Sequence, residues 1–226
     1  MHDGKNRALV SWSGGKDCCL AWARAREALK VVGLVTVMTE DGTRSRSHGL
    51  RPEVLDSQAQ AMGLPLVTTN ATWESYESEF SRLLTRASRE LRATHVVFGD
   101  VFPEPHRQWV ERVCGGCQLT AVEPLWGEPT ESLIREFLSR GGEAIITTVR
   151  DEALDSNWLG RPLDVRAIEE LISLGVDPCG ERGEYHSFVT YFPGFRRRLD
   201  LRSAGVAQHG GCSLLELGIT PTSVGV

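Results

Sequence analysis

The chain has 226 residues, 41% hydrophobic and 24% charged, the balance of a soluble globular protein with length for one large domain or two small ones. Its net charge of −5 argues against a surface built mainly to neutralise nucleic-acid phosphates, so a small molecule or a protein is the expected partner rather than nucleic acid. No stretch approaches the roughly 20 apolar residues of a membrane span, and the N-terminus lacks the apolar run of a signal peptide, so a cytoplasmic chain with no membrane partner is expected.

Taken in chain order, a β-prone run from Ala8 to Trp12 leads into a glycine pair, after which Cys18, Trp22, Ala25 and Leu29 recur at helical spacing. Val31 to Met38 is almost continuously Val, Leu and Thr, as expected of a parallel strand covered on both faces. Pro52 opens a helix whose apolar face carries Val54, Leu55, Gln58, Ala59 and Met62, and Gly63 can end it. Leu64 to Thr69 reads as a third strand, Tyr76 to Leu91 as a long amphipathic helix, His95 to Gly99 as a fourth strand and Leu119 to Leu125 as a fifth. This alternation predicts an α/β fold with a doubly wound parallel sheet.

From about Thr130 the pattern changes to a helix around Leu133 to Leu138, a strand at Ala144 to Val149, a helix around Val165 to Leu174, a glycine-rich segment, and a tail of paired strands about a glycine turn. Residues 1–128 are therefore expected to form one α/β unit and 129–226 a smaller α+β unit. Six cysteines in a chain of this size without a secretory signal are expected to be free thiols. Cys114 and Cys117 have metal-like spacing but no second ligand pair, so the simpler expectation is that Cys114 ends a helix and Cys117 lies in the turn after it.

The stretch SWSGGKDC, residues 11–18, stands at the carboxyl end of the first strand, where ligands collect in open α/β sheets. Gly14 and Gly15 allow close approach of backbone N–H groups to an anion, the following helix adds its positive end, and Lys16 adds a mobile charge. The loop lacks the spacing of both the Walker A and the GxGxxG patterns.

SGGKDC resembles the SGGxD signature of the PP-loop ATP pyrophosphatases, Rossmann-like enzymes that cleave ATP between the α and β phosphates. Asp177 to Phe188, DPCGERGEYHSF, is similar to the DPCGENGEFHTF segment of the diphthine–ammonia ligase (diphthamide synthase) family. Phe98-Gly99-Asp100, Arg107 to Cys114, Pro124-Leu125-Trp126 and Leu159-Gly160-Arg161 match that family in the same order. The resemblance implies an AMP-forming carboxylate–ammonia ligase that uses ATP and Mg²⁺. The acid would be diphthine of elongation factor 2 in an archaeal or eukaryotic source, and another acid in a bacterial one. Assembly as a homodimer is left open.

On this reading Ser11, Ser13, Gly14, Gly15, Lys16, Asp17, His48 and Gly99 contact the nucleotide, and Asp17 is also the candidate Mg²⁺ ligand. Lys16, Asp100, Glu181, Glu184 and His186 are the catalytic candidates, the carboxylates binding ammonium and accepting its proton. Gly180, Arg182 and Gly183 are the substrate-binding candidates, Arg182 standing where the family has a neutral Asn. Each has a plainer alternative: Asp100 as a helix cap, His48 as a loop histidine without a role, and the 177–188 segment as a solvated turn. Two other functions stay open at this point, a PP-loop enzyme that thiolates tRNA and a nucleotide-binding regulatory module without turnover.

Overall fold

The computed structural model describes residues 6–220. Strand β1 (Arg7–Ser11) and helix α1 (Lys16–Ala25) flank the glycine loop, followed by β2 (Lys30–Met38), α2 (Pro52–Met62), β3 (Leu66–Asn70), α3 (Tyr76–Leu91), β4 (His95–Val97), α4 (Glu104–Gly116) and β5 (Thr120–Val122). The five strands are parallel in the order β3-β2-β1-β4-β5, so the order reverses between β1 and β4. The central strands are buried on both faces, which is why they read as continuous apolar runs.

The remaining chain contributes α5 (Thr130–Ser139), β6 (Glu143–Arg150), α6 (Val165–Ser173), β7 (Tyr185–Tyr191), β8 (Leu201–His209) and β9 (Cys212–Ile219). These strands form a separate antiparallel sheet in the order β7-β6-β9-β8. The expected tail hairpin is β8 and β9, turning at Gly210 and Gly211. No helix among the described residues is long and apolar enough to cross a membrane.

Several element ends differ from the pattern in the sequence. The third strand starts at Leu66 because the Leu64 N–H is spent on the Ala59 carbonyl, closing α2 past the left-handed Gly63. The fourth stops at Val97 and the fifth shrinks to Thr120–Val122, with a turn over residues 124–127 following it. Helix α4 ends at Gly116, with Cys117 capping it and donating its thiol to the Ser81 carbonyl. All six cysteines are free, and among the described residues no three His, Cys, Asp or Glu side chains are placed to hold a metal ion.

A continuous apolar core runs from the inner face of the parallel sheet into the second sheet. Trp22 on α1 meets Phe192 and Phe195 edge-on at 6.1 and 5.9 Å, so α1 is packed from both sides. A second cluster lies under α3 and α4, with Leu9, Val35, Phe80 and Val96 at its centre. Ion pairs reinforce the junction: Arg24 bonds Glu128 and Glu136, and Glu216 on β9 receives both Arg44 and Arg51.

Gln58 does most to register the halves. It is fully buried on α2, accepts from Trp12 Nε1 at 2.7 Å, and donates to the carbonyls of Gly14 at 3.1 Å and Val189 at 2.8 Å. Its amide therefore holds the glycine loop and β7 in one grip. Gln58→Leu keeps the volume but strands the buried Trp12 N–H, and is expected to cost about 1–3 kcal/mol. Urea denaturation checks this, and an unchanged midpoint would contradict it.

Candidate functional site

A cavity of about 360 Å³ opens at the carboxyl ends of β1, β2 and β4, beside the point where strand order reverses. Ser11, Ser13, Lys16, Asp17, His48, Gly99 and Asp100 line it from the first half of the chain, and Gly180, Glu181, Gly183 and His186 from the second. These eleven sequence candidates thus converge on one space between the two sheets, while Gly14, Gly15, Arg182 and Glu184 lie off its wall.

The loop forms one wall. Ser13 Oγ accepts from Gly15 N at 3.3 Å, while the Gly14 carbonyl accepts from Val189 N at 3.0 Å. Gly15 is the N-cap of α1 and supplies no side-chain cap, while Lys16 N donates to Ser187 Oγ at 3.2 Å, tying the start of the helix to β7. Both glycines that approach the loop closely are needed for space. A Cβ on Gly15 would lie 2.6 Å from His48 Cε1, and one on Gly99 would lie 2.6 Å from Cys18 N, in the backbone of α1.

Lys16 is the meeting point of the two motifs. Its side chain is 4% exposed, and its ammonium donates to Asp17 Oδ2 at 2.9 Å and to the Cys179 carbonyl, 5.2 Å from the centre of the Tyr185 ring. Burial opposes the charge, but the negative groups around it, Asp17 foremost, more than offset this and hold its pKa well above the usual range. Lys16 is therefore a fixed cation.

The 177–188 segment is a turn organised by its own carboxylates. Asp177 Oδ1 accepts from Cys179 N at 2.9 Å and Glu181 N at 3.3 Å, and its other oxygen takes the Thr130 hydroxyl at 2.8 Å. Glu184 is buried and spends both oxygens on backbone, on Asp177 N at 3.2 Å and Arg182 N at 3.0 Å, and it does not line the cavity. Glu181, by contrast, faces the cavity. Burial, then the nearby charges of Asp17, Asp177 and Asp100, push its pKa up to about 8 against the pull of Lys16. The two glutamates, equivalent in the motif, differ because only one is saturated by its own loop.

His186 stacks on His48 with ring centroids 4.4 Å apart. Burial and the Lys16 charge bring the His186 pKa down to about 4, and burial, His186 and Lys16 lower that of His48 as well. Both imidazoles are neutral, and His48 Nδ1 is enclosed without a partner. Arg182 is exposed and off the cavity wall; its carbonyl takes a hydrogen bond from Arg150.

Asp100 does not cap α4, whose N-cap is Pro103; it pairs with His106 Nδ1 at 3.4 Å and raises the pKa of that imidazole. His106 begins a column of near-parallel rings, His106 on Trp109, Trp109 on Phe80 and Phe80 on Tyr76, which with Arg46 closes the cavity on the β2–β4 side. Sequence reasoning left out Gln58, Asp177, His106 and this column. The helical register of Tyr76 and Phe80 with a following aromatic helix was the available signal for the last, and it reads first as core packing.

Residues 6–120 match the family model described as the diphthamide synthase N-terminal domain, which alone spans more than half of the chain, and residues 129–217 match the diphthamide synthase C-terminal domain. The chain belongs to the diphthamide synthase family. The glycine loop and Asp100 lie in the segment matched by the N-terminal diphthamide synthase model, and Glu181, Glu184 and His186 in that matched by the C-terminal one. A protein named diphthine–ammonia ligase from Bos taurus is 28% identical over 228 residues, covering 90% of this chain and 85% of that protein. The one from Homo sapiens is 28% identical with the same coverage, and that from Danio rerio is 26% identical over 91% of this chain and 90% of its own length. A solved structure described as a predicted subunit of a tRNA methyltransferase from Methanocaldococcus jannaschii aligns over 83% of this chain and 97% of that chain at 15% identity, with a TM-score of 0.42, too distant for its title to bear on this diphthamide synthase relative.

The Glu181 carboxyl makes a checkable prediction. Its folded pKa, about 8, lies above the ordinary 4.5, so the folded chain keeps a proton that the unfolded chain has lost between those values. Its contribution to stability is full below pH 4.5 and is lost as pH rises through 8. Glu181→Gln removes that loss, so the melting temperature of the variant should gain on the parent steadily from about pH 5 to about pH 8. Parallel curves would contradict the assignment.

Proposed function

We propose that this chain is an ATP-dependent ligase that converts the carboxylate of diphthine on elongation factor 2 to an amide with ammonia, releasing AMP and pyrophosphate. Family membership and the names of the relatives support the reaction class. The observation that carries the reading is the joining, in one cavity, of an anion-binding loop with a fixed cation and a carboxyl poised near neutral pH. At about 360 Å³ the cavity is within the usual range of small-ligand sites, about 300–1,000 Å³.

A carboxylate resists attack by a nucleophile because of its charge; linking it to AMP removes the charge and supplies a leaving group. The work of the site in that step is to position the carboxylate and stabilise charge on the phosphates. The uncapped start of α1 and Lys16 serve the pyrophosphate end. Asp17 and Asp100, both on the cavity wall, are the carboxylates that would hold Mg²⁺, which would neutralise phosphate charge there.

Glu181 supports the second step. A carboxyl with a pKa of about 8 is ionised in part near neutral pH, and that ionised fraction can take a proton from ammonium and leave ammonia as the nucleophile. His186, kept neutral, offers a lone pair to an N–H of that ammonia. Nitrogen then bonds to the acyl carbon, the bond from carbon to the AMP oxygen breaks with its electron pair leaving on AMP, and the second proton, lost as the amide forms, passes by way of the neutral His186 imidazole to solvent. Glu184 braces the turn that holds Glu181 in place. Arg182, outside the cavity, is suited to the protein surface around the modified residue.

The test is to incubate the protein with ATP, Mg²⁺, ammonium and diphthine-bearing elongation factor 2 and to separate the nucleotides. AMP and pyrophosphate are expected; ADP and phosphate would overturn the reading. Lys16→Ala is expected to lower kcat/KM about 10²–10³-fold, as loss of one transition-state donor does. Because Lys16 is buried with Asp17, the same change also destabilises the fold, so circular dichroism must show the variant folded at the assay temperature. A folded variant with parental rates would contradict the role.

A further inference from the structure

A groove of about 820 Å³ lies between α3 and α4, outside the cavity. It is basic in a chain whose net charge is −5: Arg82, Arg86, Arg89 and Arg112 line it against Glu77 and Glu90. The three arginines of α3 recur at i, i+4 and i+7 and are all exposed, so they form one stripe along the outside of the helix.

Two of these cations are already matched. Arg82 pairs with Glu79 at 2.6 Å, and Arg112 holds both oxygens of Glu77, at 2.5 and 2.9 Å. The other two are not. Arg86 bonds only the neutral Thr68 carbonyl, at 2.7 Å, and no described residue bonds or pairs with Arg89.

The groove starts beside the cavity. Glu77 lines the groove and accepts from Trp109 Nε1 at 2.9 Å, and Trp109 lines the cavity. From Glu77 to Glu90 helix α3 rises about 20 Å, at about 1.5 Å per residue, which is the span of about six residues of extended chain. On the α4 side Gly116 keeps the groove open, since a Cβ there would meet nothing within 4 Å.

We propose that the α3–α4 groove docks an acidic segment of the protein that carries the residue to be amidated, with carboxylates of that segment on Arg86 and Arg89. The proposal rests on the ligase reading, whose substrate is a side chain of a protein. A cavity of about 360 Å³ that also takes a nucleotide leaves the rest of that protein outside, against the adjoining surface. Glu77 and Glu90 in the groove walls repel a nucleic-acid backbone, whose negative charge is unbroken, whereas a peptide can set neutral or basic groups beside them.

The test is the affinity of the full chain for diphthine-bearing elongation factor 2 in the absence of ATP, measured by biolayer interferometry. The double variant Arg86→Glu with Arg89→Glu is expected to bind about 10-fold more weakly and with less salt dependence than the parent, while calorimetry shows its ATP affinity unchanged. Gly116→Phe fills the groove without altering a charge and should weaken binding as well; Gly115→Phe, off the groove, should not. Parental affinity in the double variant, or equal losses in Gly115→Phe and Gly116→Phe, would overturn the proposal. Displacement of the elongation factor by transfer RNA at physiological salt would overturn it too, and would mark a nucleic-acid site. If the parent binds the elongation factor through Arg86 and Arg89 but forms no AMP, the ligase reading fails and the docking surface does not. If AMP forms while the double variant binds as the parent does, the docking surface alone fails.

Discussion

Removing an ammonium from water is tolerable in a fold only when fixed negative groups take over its solvation, and Lys16 draws those groups from both halves of the chain. Asp17 comes from its own helix; the Cys179 carbonyl and the Tyr185 ring come from the segment before β7. The glycine loop therefore reaches its geometry only when the second sheet is docked. Gln58 and Ser187 repeat the constraint in neutral form, one through the Gly14 and Val189 carbonyls and the other through the Lys16 amide. The cavity is a product of that docking, which explains why its wall alternates between residues far apart in the chain.

The same closure sets the electrostatics. With water excluded, several carboxyls are held near one fixed cation, and they divide according to what satisfies them. Asp177 and Glu184 are consumed by backbone N–H groups and shape the turn. Glu181 has no such partners and is raised toward neutral pH by burial and by its acidic neighbours. The imidazoles of His48 and His186 sit on the opposite side of this balance, forced neutral by burial and by Lys16. A carboxyl that titrates near neutral pH is thus a product of the packed interface rather than of any single motif residue.

Much of this was readable beforehand, for identifiable reasons. Strands β1 and β2 are continuous apolar runs and helices α3 and α6 are strongly periodic, and a glycine pair between strand and helix has few structural uses, so the parallel sheet and the loop's place at its carboxyl end were legible. Strand ends were not, because they depend on which N–H groups a neighbouring turn takes, as with Leu64. Roles within the acidic turn were also hidden: Glu181 and Glu184 are alike in sequence, and only the backbone path of the turn decides which is saturated. Gln58 sits on an apolar helix face, where it reads as a packing residue. The contact of His48 with His186 joins the loop after β2 to strand β7 of the other sheet, which local pattern cannot encode.

The central claim is that this interface activates a carboxylate by joining it to AMP, and the oxygen atoms record whether it does. A diphthine-bearing substrate with ¹⁸O in its carboxylate, turned over with ATP and ammonium, should yield AMP carrying one ¹⁸O when measured by mass spectrometry. Label recovered in inorganic phosphate, or AMP free of label while the amide still forms, would contradict the account.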